Sequence, residues 1–512
     1  MSLCDVVPRD SNRTAITVCV VLATLMQVLD TTIANVALPY MQGSLSASQD
    51  EIAWVLTSYI AAAAIMTPPT GFFSKRFGLK NLFLASVAGF TVASMLCGLA
   101  GSLTEVVLFR ILQGAFGAAL VPLSQSVLLG INPPERQGGA MALFGVAVMV
   151  GPVLGPVLGG WLTENYSWRY VFYINLPIGA LAFLGMSCFL PNKPGDTTAR
   201  LDWFGFGTLS LAIGAFQIML DRGEELDWFG AGEIVIEAIL AAAAFYLFLV
   251  HSFTTRAPFV RPRLFRDRNF SAGIIFILIV GLTYYASLAL QPPYLQELMN
   301  YPVVTSGLVM GPRGVGTMGA MIVVGRLVGR VDTRLLLGIG LVLSAWAFYE
   351  MTGWTPDIGV PTLIGVGLVQ GMGLGFIFVP LSVVTLSTLP GEDRTEGAAL
   401  YSLSRNIGSS AGISIFNALL THNMQVNHAT IAANVTATNR AFDNPIIAKI
   451  WDPMSAAGRA ALDAVVNQQA QIIAYIDDYK LLLIATLAIL PLLIVFKKPP
   501  PRAPGEQAMM ME

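Results

Sequence analysis

The sequence has few charged residues: they make up 12% of its 512 residues, against 55% hydrophobic residues. Because a soluble globular domain carries about 25% charged residues, water could not solvate a surface of this composition. The 29 lysines and arginines are balanced by 31 aspartates and glutamates, so no excess of positive charge is available to bind nucleic acid. The composition excludes a soluble enzyme, a nucleic-acid-binding protein and a disordered chain.

Cysteine and histidine are also scarce, with four and three residues respectively. They are scattered over the chain and form no CxxC pair and no HExxH cluster. No disulfide framework, metal site or cofactor is therefore expected. A GxxxxGK[ST] phosphate-binding loop is missing as well, so ATP is not the expected direct energy source.

What the sequence does contain is a series of apolar runs long enough to cross a bilayer, which takes about 20 residues. A segment in lipid must satisfy its own backbone hydrogen bonds, so each run is predicted to be a helix. The prediction is an all-α polytopic membrane protein. Its fourteen transmembrane helices are expected at 15–38, 52–73, 81–101, 104–130, 138–162, 169–190, 203–221, 232–251, 269–292, 303–328, 334–353, 359–388, 396–421 and 478–496.

The distribution of positive charge supports this count. With both termini in the cytoplasm, 20 of the 29 lysines and arginines lie in cytoplasmic segments and 6 in external ones. Cytoplasmic loops carry such an excess, and a miscount by one helix would reverse it for every later loop. The sequence therefore predicts cytoplasmic termini.

An internal repeat divides the chain. Residues 71–82 align with 325–336, and the Gln-Gly pair at 113–114 is echoed at 370–371. In both cases the two matching segments are predicted to have the same orientation in the membrane. Parallel repeats related by an axis along the membrane normal have this property. The predicted units are a six-helix bundle at 1–190, a linker with two extra peripheral helices at 191–268, and a second six-helix bundle at 269–512.

Two segments lie outside this plan. The arginine-rich stretch 254–268 is expected to anchor on anionic lipid. Residues 422–477, on the external side, form the longest connection, and their polar composition fits either a disordered spacer or a partner-binding hairpin.

Polar side chains within the predicted helices are the candidate site residues. Asp30 is a lone acid in helix 1 that could carry a proton, or bond locally near Thr31 and Thr32. Arg110 in helix 4 either acts with it or snorkels to the nearby outer surface. Five amides either line a cavity or form structural bonds between helices: Gln27, Asn35, Gln113, Gln291 and Asn406.

Small residues and prolines form two further motifs. In helix 5, glycine and proline favour close helix packing and bending, or simply a generic packing face, at Gly151, Pro152, Gly155, Pro156, Gly159 and Gly160. The first cytoplasmic loop combines Gly71, Arg76 and Gly78.

These motifs together resemble the major facilitator superfamily, and within it the fourteen-helix drug:proton antiporters of the EmrB/QacA type. The chain departs from the family pattern at Lys75, where an acidic residue is usual. The resemblance extends over nearly the whole chain and rests on residues 29–39, 71–82, 110–114, 151–160, 168–177 and 220–229.

The resemblance implies proton-driven export of hydrophobic or amphipathic drugs by alternating access, with Asp30 and Arg110 in proton coupling. It also implies a Gram-negative inner membrane, a periplasmic membrane-fusion adaptor (EmrA-like) that docks on 422–477, and an outer-membrane channel. The alternative is a same-fold exporter of a dedicated substrate such as a siderophore or metabolite. A receptor that no longer transports is less favoured, because the acids and glycines are present, and a membrane enzyme is least favoured.

Overall fold

A computed structural model describes most of the chain, and its described residues are helical except for turns and one isolated bridge between Val328 and Val331. The predicted all-α class is therefore confirmed. The described residues are 9–192, 195–196, 201–256, 258–435, 451 and 454–497.

The N-terminal half contains nine helices. A capping box between Ser48 and Glu51 begins the second of them. That helix and the third meet at an angle of 59°, across Pro68 and Pro69, because proline interrupts the helical hydrogen bonds. The helices are α1 Arg9–Leu45, α2 Gln49–Met66, α3 Thr70–Phe77, α4 Leu79–Leu99, α5 Leu103–Gly117, α6 Leu120–Ile131, α7 Pro134–Asn165, α8 Tyr170–Tyr173 and α9 Asn175–Phe189.

Two helices follow in the linker, α10 Trp203–Arg222 and α11 Gly232–Thr254. The described residues of the C-terminal half then form six long helices, the first of which continues into a π-helical turn at Tyr294–Leu298. They are α12 Arg268–Pro293, α13 Val303–Leu327, α14 Thr333–Met351, α15 Val360–Ser387, α16 Arg394–Ala432 and α17 Ala456–Ala488.

The described helices agree with a multi-pass membrane protein. By length and composition, ten of them can cross a bilayer, or up to eleven if the bent pair is one span. The remaining predicted spans coincide with α7, α16 and α17, which have 32, 39 and 33 residues. A count of fourteen is compatible with this arrangement and stays a prediction.

The two halves meet most extensively where α7 of the N-terminal half packs on α13 of the C-terminal half. Within its own half, α7 packs on α1. Gly138 of α7 lies against Gly325 and Val328, and the rings of Phe144 and Phe378 stack with their centroids 6.4 Å apart. Helix α16 packs in addition on α3 and α6. These contacts lie at the ends predicted to face the cytoplasm, so the halves are closed together there.

The two linker helices pack on each other and, through α10, on one helix of each half, and their assignment as a peripheral linker stays a prediction. Helix α11 packs mainly on α10, and α10 packs on α2 and α16. Gln217 of α10 donates a hydrogen bond to Ser410, and Ser414 donates one to the Leu220 carbonyl, at 3.0 and 2.7 Å. One linker helix thus touches both halves.

The predicted external loop 422–477 is largely a helical hairpin. Helix α16 runs on to Ala432, and α17 begins at Ala456 under a Ser455 cap. The two helices pack on each other, and Val466 and Ala470 are buried. A disordered spacer is therefore wrong for 422–435 and 454–477, whereas 436–450 and 452–453 lie outside the described residues.

Candidate functional site

A buried carboxylate in the middle of α1 is the centre of the site. Asp30 is inaccessible to solvent and accepts hydrogen bonds at both oxygens. Arg110 donates to Oδ2 at 2.6 Å, while Gln113 and Asn175 donate to Oδ1 at 2.7 and 2.8 Å. Three side-chain donors from two other helices thus surround this carboxylate.

The arginine is enclosed as completely as the acid. Besides Asp30, Arg110 donates from Nε to the Val55 carbonyl at 3.0 Å and from Nη1 to Gln113 Oε1 at 2.8 Å. Its guanidinium lies 4.1 Å from the centroid of the Tyr59 ring, a cation–π contact. Snorkelling to the surface is therefore wrong for Arg110, because its side chain has a better set of partners inside the bundle.

Local sequence explains why α5 supplies both donors. Arg110 and Gln113 are three residues apart, which places them on one helix face. The next residue is Gly114, where any Cβ atom would overlap the carbonyl oxygen of Tyr59. The missing side chain lets α5 approach α2 closely enough for Arg110 to reach under the tyrosine ring.

Two residues of this network escaped the sequence analysis. Asn175, the first residue of α9, bonds both Asp30 and Ser94 Oγ, the latter at 2.9 Å. Ser94 in turn donates to the Phe172 carbonyl at 2.8 Å. Asn175 lies within 168–177, one of the segments that carry the family resemblance, and that position could have indicated it. Nothing in the sequence singles out Ser94. The network joins α1, α2, α4, α5 and α9.

The local alternative for Asp30 is wrong, since all its hydrogen bonds come from other helices. Thr31 and Thr32 donate instead to the Val28 carbonyl, at 2.8 and 3.2 Å. Of the other N-terminal candidates, Gln27 donates to the Tyr59 hydroxyl at 3.3 Å and lies at the margin of the network.

Asn35, by contrast, is exposed on α1 and contributes nothing to the bonds around Asp30. The network leaves two buried atoms without a partner, Arg110 Nη2 and Asn175 Oδ1. Among the residues that the structure describes, no three His, Cys, Asp or Glu side chains are grouped as metal ligands would be. The network combines one carboxylate and one guanidinium with neutral amide and hydroxyl groups.

The glycine face of α7 packs on α1 beside this network. Cβ atoms on Gly151 and Gly155 would overlap Val28 and Thr32, and Gly159 lies against Ile33. Thr32 Oγ1 also donates to the Gly151 carbonyl at 3.1 Å. At Gly160 the space is open, and the side chains of Pro152 and Pro156 lie outside the described part of the structure.

A second polar cluster occupies the C-terminal half and includes Gln291. Arg313 donates to Gln291 Oε1 at 3.0 Å and to the Tyr284 carbonyl at 3.3 Å. Gln370 donates to Ser287 Oγ at 2.9 Å and accepts from Gln291 at 3.5 Å. Gln291 is thus brought into a buried network.

Asn406, the remaining amide candidate, lies on α16 outside this network. Its oxygen accepts a long, 3.5 Å hydrogen bond from the neighbouring Arg405, and both side chains are half-buried.

The first loop brings the halves together at their predicted cytoplasmic ends. A Cβ atom on Gly71 would lie 2.8 Å from Glu396 Cα, so α3 and α16 approach closely only because this residue is glycine. Gly78, between α3 and α4, has φ +83°, a conformation that favours glycine. Arg76 is half-buried on the same short helix, α3.

Around Gly71 lies an inner ion-pair cluster of Lys75, Arg261, Arg263, Asp393 and Glu396. Lys75 Nζ is 3.5 Å from Asp393 and 3.9 Å from Glu396. Both linker arginines pair with Asp393 at 2.8 Å, so they do not act simply as lipid anchors. The hydrogen bond to Asp393 raises the pKa of the Arg263 guanidinium above its usual value, which keeps it charged.

Comparison with known proteins agrees with this architecture. The chain is 37% identical over 416 residues to the fatty acid resistance protein FarB of Neisseria gonorrhoeae, covering 81% of this chain and 82% of that protein. It is 36% identical to the multidrug export protein EmrB of Escherichia coli K12, with 83% of each chain covered. EmrB of Haemophilus influenzae is 35% identical, covering 95% of this chain and 96% of that protein.

Solved structures show the same fold. The human organic anion transporter MFSD10 (TETRAN) matches with a TM-score of 0.58 at 14% identity, covering 94% of this chain and 100% of that one. The proton:xylose symporter XylE matches with a TM-score of 0.56 at 14% identity, covering 93% and 97%. The sequence model of the Major Facilitator Superfamily matches residues 20–422, and this chain belongs to that superfamily of membrane transporters.

Proposed function

We propose that this chain exports hydrophobic and amphipathic toxic compounds in exchange for protons, by alternating access. The observation that carries the proposal is the fully buried Asp30–Arg110 pair in a transporter fold whose similar proteins include multidrug export proteins. A buried carboxylate exchanges one proton between two environments when its cationic partner moves. The halves are closed at one end, which is one of the two states that alternating access requires.

Protonation of Asp30 would remove the charge that holds Arg110, Gln113 and Asn175 in place. These donors lie on α5 and α9, whereas Asp30 is on α1. Loss of the bonds would therefore free α1 relative to its neighbours. Release of the proton on the other side of the membrane would restore the bonds, so proton movement and helix movement belong to one cycle.

The test is transport in everted membrane vesicles energised to an acidic interior. Adding a drug that is exchanged for protons dissipates the pH gradient, which a fluorescent pH probe reports. Asp30→Asn should abolish this response while the protein still inserts and binds drug. Asp357→Asn, the same change at an exposed acid in the loop before α15, is the matched control.

Drug-induced proton release by Asp30→Asn at the rate and pH dependence of the unaltered protein would contradict the proposal. The same vesicles separate broad from dedicated specificity. Responses to several chemically unrelated compounds support multidrug export, whereas a response to a single siderophore or metabolite alone would favour the dedicated exporter.

We propose further that the protein works in the inner membrane of a Gram-negative cell with both termini in the cytoplasm. A periplasmic membrane-fusion adaptor and an outer-membrane channel would complete the export path. The support is the hairpin of α16 and α17, which extends beyond the predicted membrane spans and exposes Val426 and Val465. Exposed apolar side chains on a projecting hairpin suit a helical partner.

Replacing residues 430–470 by a short Gly/Ser link tests the adaptor proposal. The change spares the buried Tyr475 and Tyr479 at the base of the hairpin, so folding and vesicle transport should persist. Adaptor co-purification and whole-cell resistance should fall. Unchanged adaptor co-purification would show that the hairpin is only a spacer.

A further inference from the structure

The two halves hold matching glutamines but different partners for them. Gln113 and Gln370 are 257 residues apart, and so are Asp30 and Ser287. Each glutamine donates a hydrogen bond to its partner on the first helix of its half, at 2.7 Å to Asp30 and 2.9 Å to Ser287. A neutral hydroxyl thus takes the place of the carboxylate in the C-terminal half.

The arginine of the C-terminal half enters from a different helix. Tyr59 and Arg313 are 254 residues apart, the offset of the first-loop echo. Cβ atoms on Gly114 and Gly371 would overlap the carbonyl oxygens of Tyr59 and Arg313, respectively, which confirms the correspondence. The C-terminal half therefore has a buried guanidinium, while Ser287 stands at the position that corresponds to Asp30.

Arg313 is 3% exposed and has only neutral partners. It donates to Gln291 and to the Tyr284 carbonyl, its guanidinium lies 4.3 Å from the centroid of the Tyr284 ring, and its Nε has no partner. In the described part of the chain no carboxylate lies within 4.0 Å of it. An unneutralised buried charge is costly, so the site favours an added anion.

A second arginine lies on α16, which packs on α12. Arg405 of α16 has a buried Nη1 without a partner and a long bond to Asn406, and no described carboxylate pairs with it. The Arg405 backbone carbonyl lies against Gly281 of α12, one helical turn before Tyr285, whose ring centroid is 5.5 Å from that of Tyr284. Two cations therefore flank an aromatic pair on α12.

The surroundings suit an amphiphile. The Tyr284 hydroxyl reaches Met149 of α7 at 4.0 Å, so the aromatic pair faces the N-terminal half. A small cavity of about 20 Å³ borders the cluster and is lined by Tyr284 and Gln370 together with the apolar Phe348 and Leu374. Charge, aromatic surface and apolar wall thus adjoin one another.

We propose that the C-terminal half binds the anionic group of a transported amphiphile, such as a carboxylate, through Arg313 and Arg405. The apolar part of the substrate lies against the rings of Tyr284 and Tyr285. This assignment of a substrate class rests on the proposed export function. Asp30 serves proton exchange in one half, and the two arginines serve the substrate in the other.

Two probes with the same aromatic tail and opposite charge test the assignment: pyrenebutyrate and pyrenylbutyl-trimethylammonium. Their binding to the full chain in nanodiscs is followed by pyrene fluorescence, and their transport in proteoliposomes with an imposed pH gradient. Arg313→Gln should raise the Kd for the anion about 10- to 100-fold, as expected for a charge-assisted hydrogen bond. The Kd for the cationic probe should change by less than about twofold, far less than the Kd for the anion.

Arg405→Gln should also weaken binding of the anion without weakening binding of the cation. Arg313→Lys, which keeps the positive charge, should bind the anion more tightly than Arg313→Gln. Arg136→Gln, at an exposed arginine beyond the predicted spans, is the matched control. The assignment would be overturned if both Gln variants bound the anion with unchanged affinity, or if they lost affinity equally for both probes. If the unaltered protein transports the cation but not the anion, this inference fails and export stands; if it transports no drug, the export proposal itself fails.

Discussion

Removing one member of the Asp30–Arg110 pair should cost far more stability than removing both. Each side chain is fully buried, and they meet at 2.6 Å. Asp30→Asn leaves the Arg110 guanidinium in the bundle without a countercharge. Arg110→Gln leaves the Asp30 carboxylate there without one. Losing one partner of a buried pair costs about 3–5 kcal/mol, whereas replacing both by neutral groups is often close to neutral.

The double variant keeps amides that can still bond Gln113 and Asn175, so it should lose only about 1–2 kcal/mol, the cost of the weakened hydrogen bonds. The coupling energy between the two positions should therefore be at least about 4 kcal/mol, above the range of about 0.5–3 kcal/mol that is usual for residues in contact. Steric trapping in bicelles measures the free energy of unfolding for the four proteins of the cycle. Single variants that each lose less than about 1 kcal/mol, with additive effects, would refute the reasoning.

Two further predictions concern the contacts between helices. Gly155→Leu should force α7 away from α1, lower the unfolding free energy by about 1–3 kcal/mol and reduce transport, whereas Gly160→Leu, where the space is open, should do neither; equal effects would contradict this. Lys75→Glu should loosen the inner ion-pair cluster and increase thiol labelling of Ser126→Cys at the junction of the halves about two- to fivefold, an effect limited by solvent screening. Arg136→Glu controls for the added charge, and labelling equal in both variants would count against the cluster.

The helices could be predicted because in a membrane protein the main signal is the apolar run itself. The predicted span 203–221 and the observed helix Trp203–Arg222 differ by one residue at one end. Where helices leave the bilayer that signal ends although the helix continues. Helix α16 therefore extends to Ala432 rather than 421, because it is stabilised by packing on α17 and not by lipid.

The candidate site was predictable as separate residues but not as a network. A charge in an apolar run costs several kcal/mol, so Asp30 and Arg110 were each conspicuous. Their pairing joins positions 80 residues apart and depends on how α1 and α5 pack, which no periodicity encodes. Arg313 also lies in an apolar run, but the sequence does not indicate which side chains surround it. Only the structure shows that its hydrogen-bond partners among the described residues are neutral and include no carboxylate.

The long helix α7 has a mechanical consequence. One part of it carries the glycines that fit α1 at Thr32, two residues from Asp30, and the other part carries Gly138, which rests on α13. A helix of 32 residues spans about 48 Å, at a rise of about 1.5 Å per residue, so these two sets of contacts are joined by one continuous element. A tilt of α7 would therefore change its packing beside Asp30 and, through Gly138, the contact with α13 that closes the halves together.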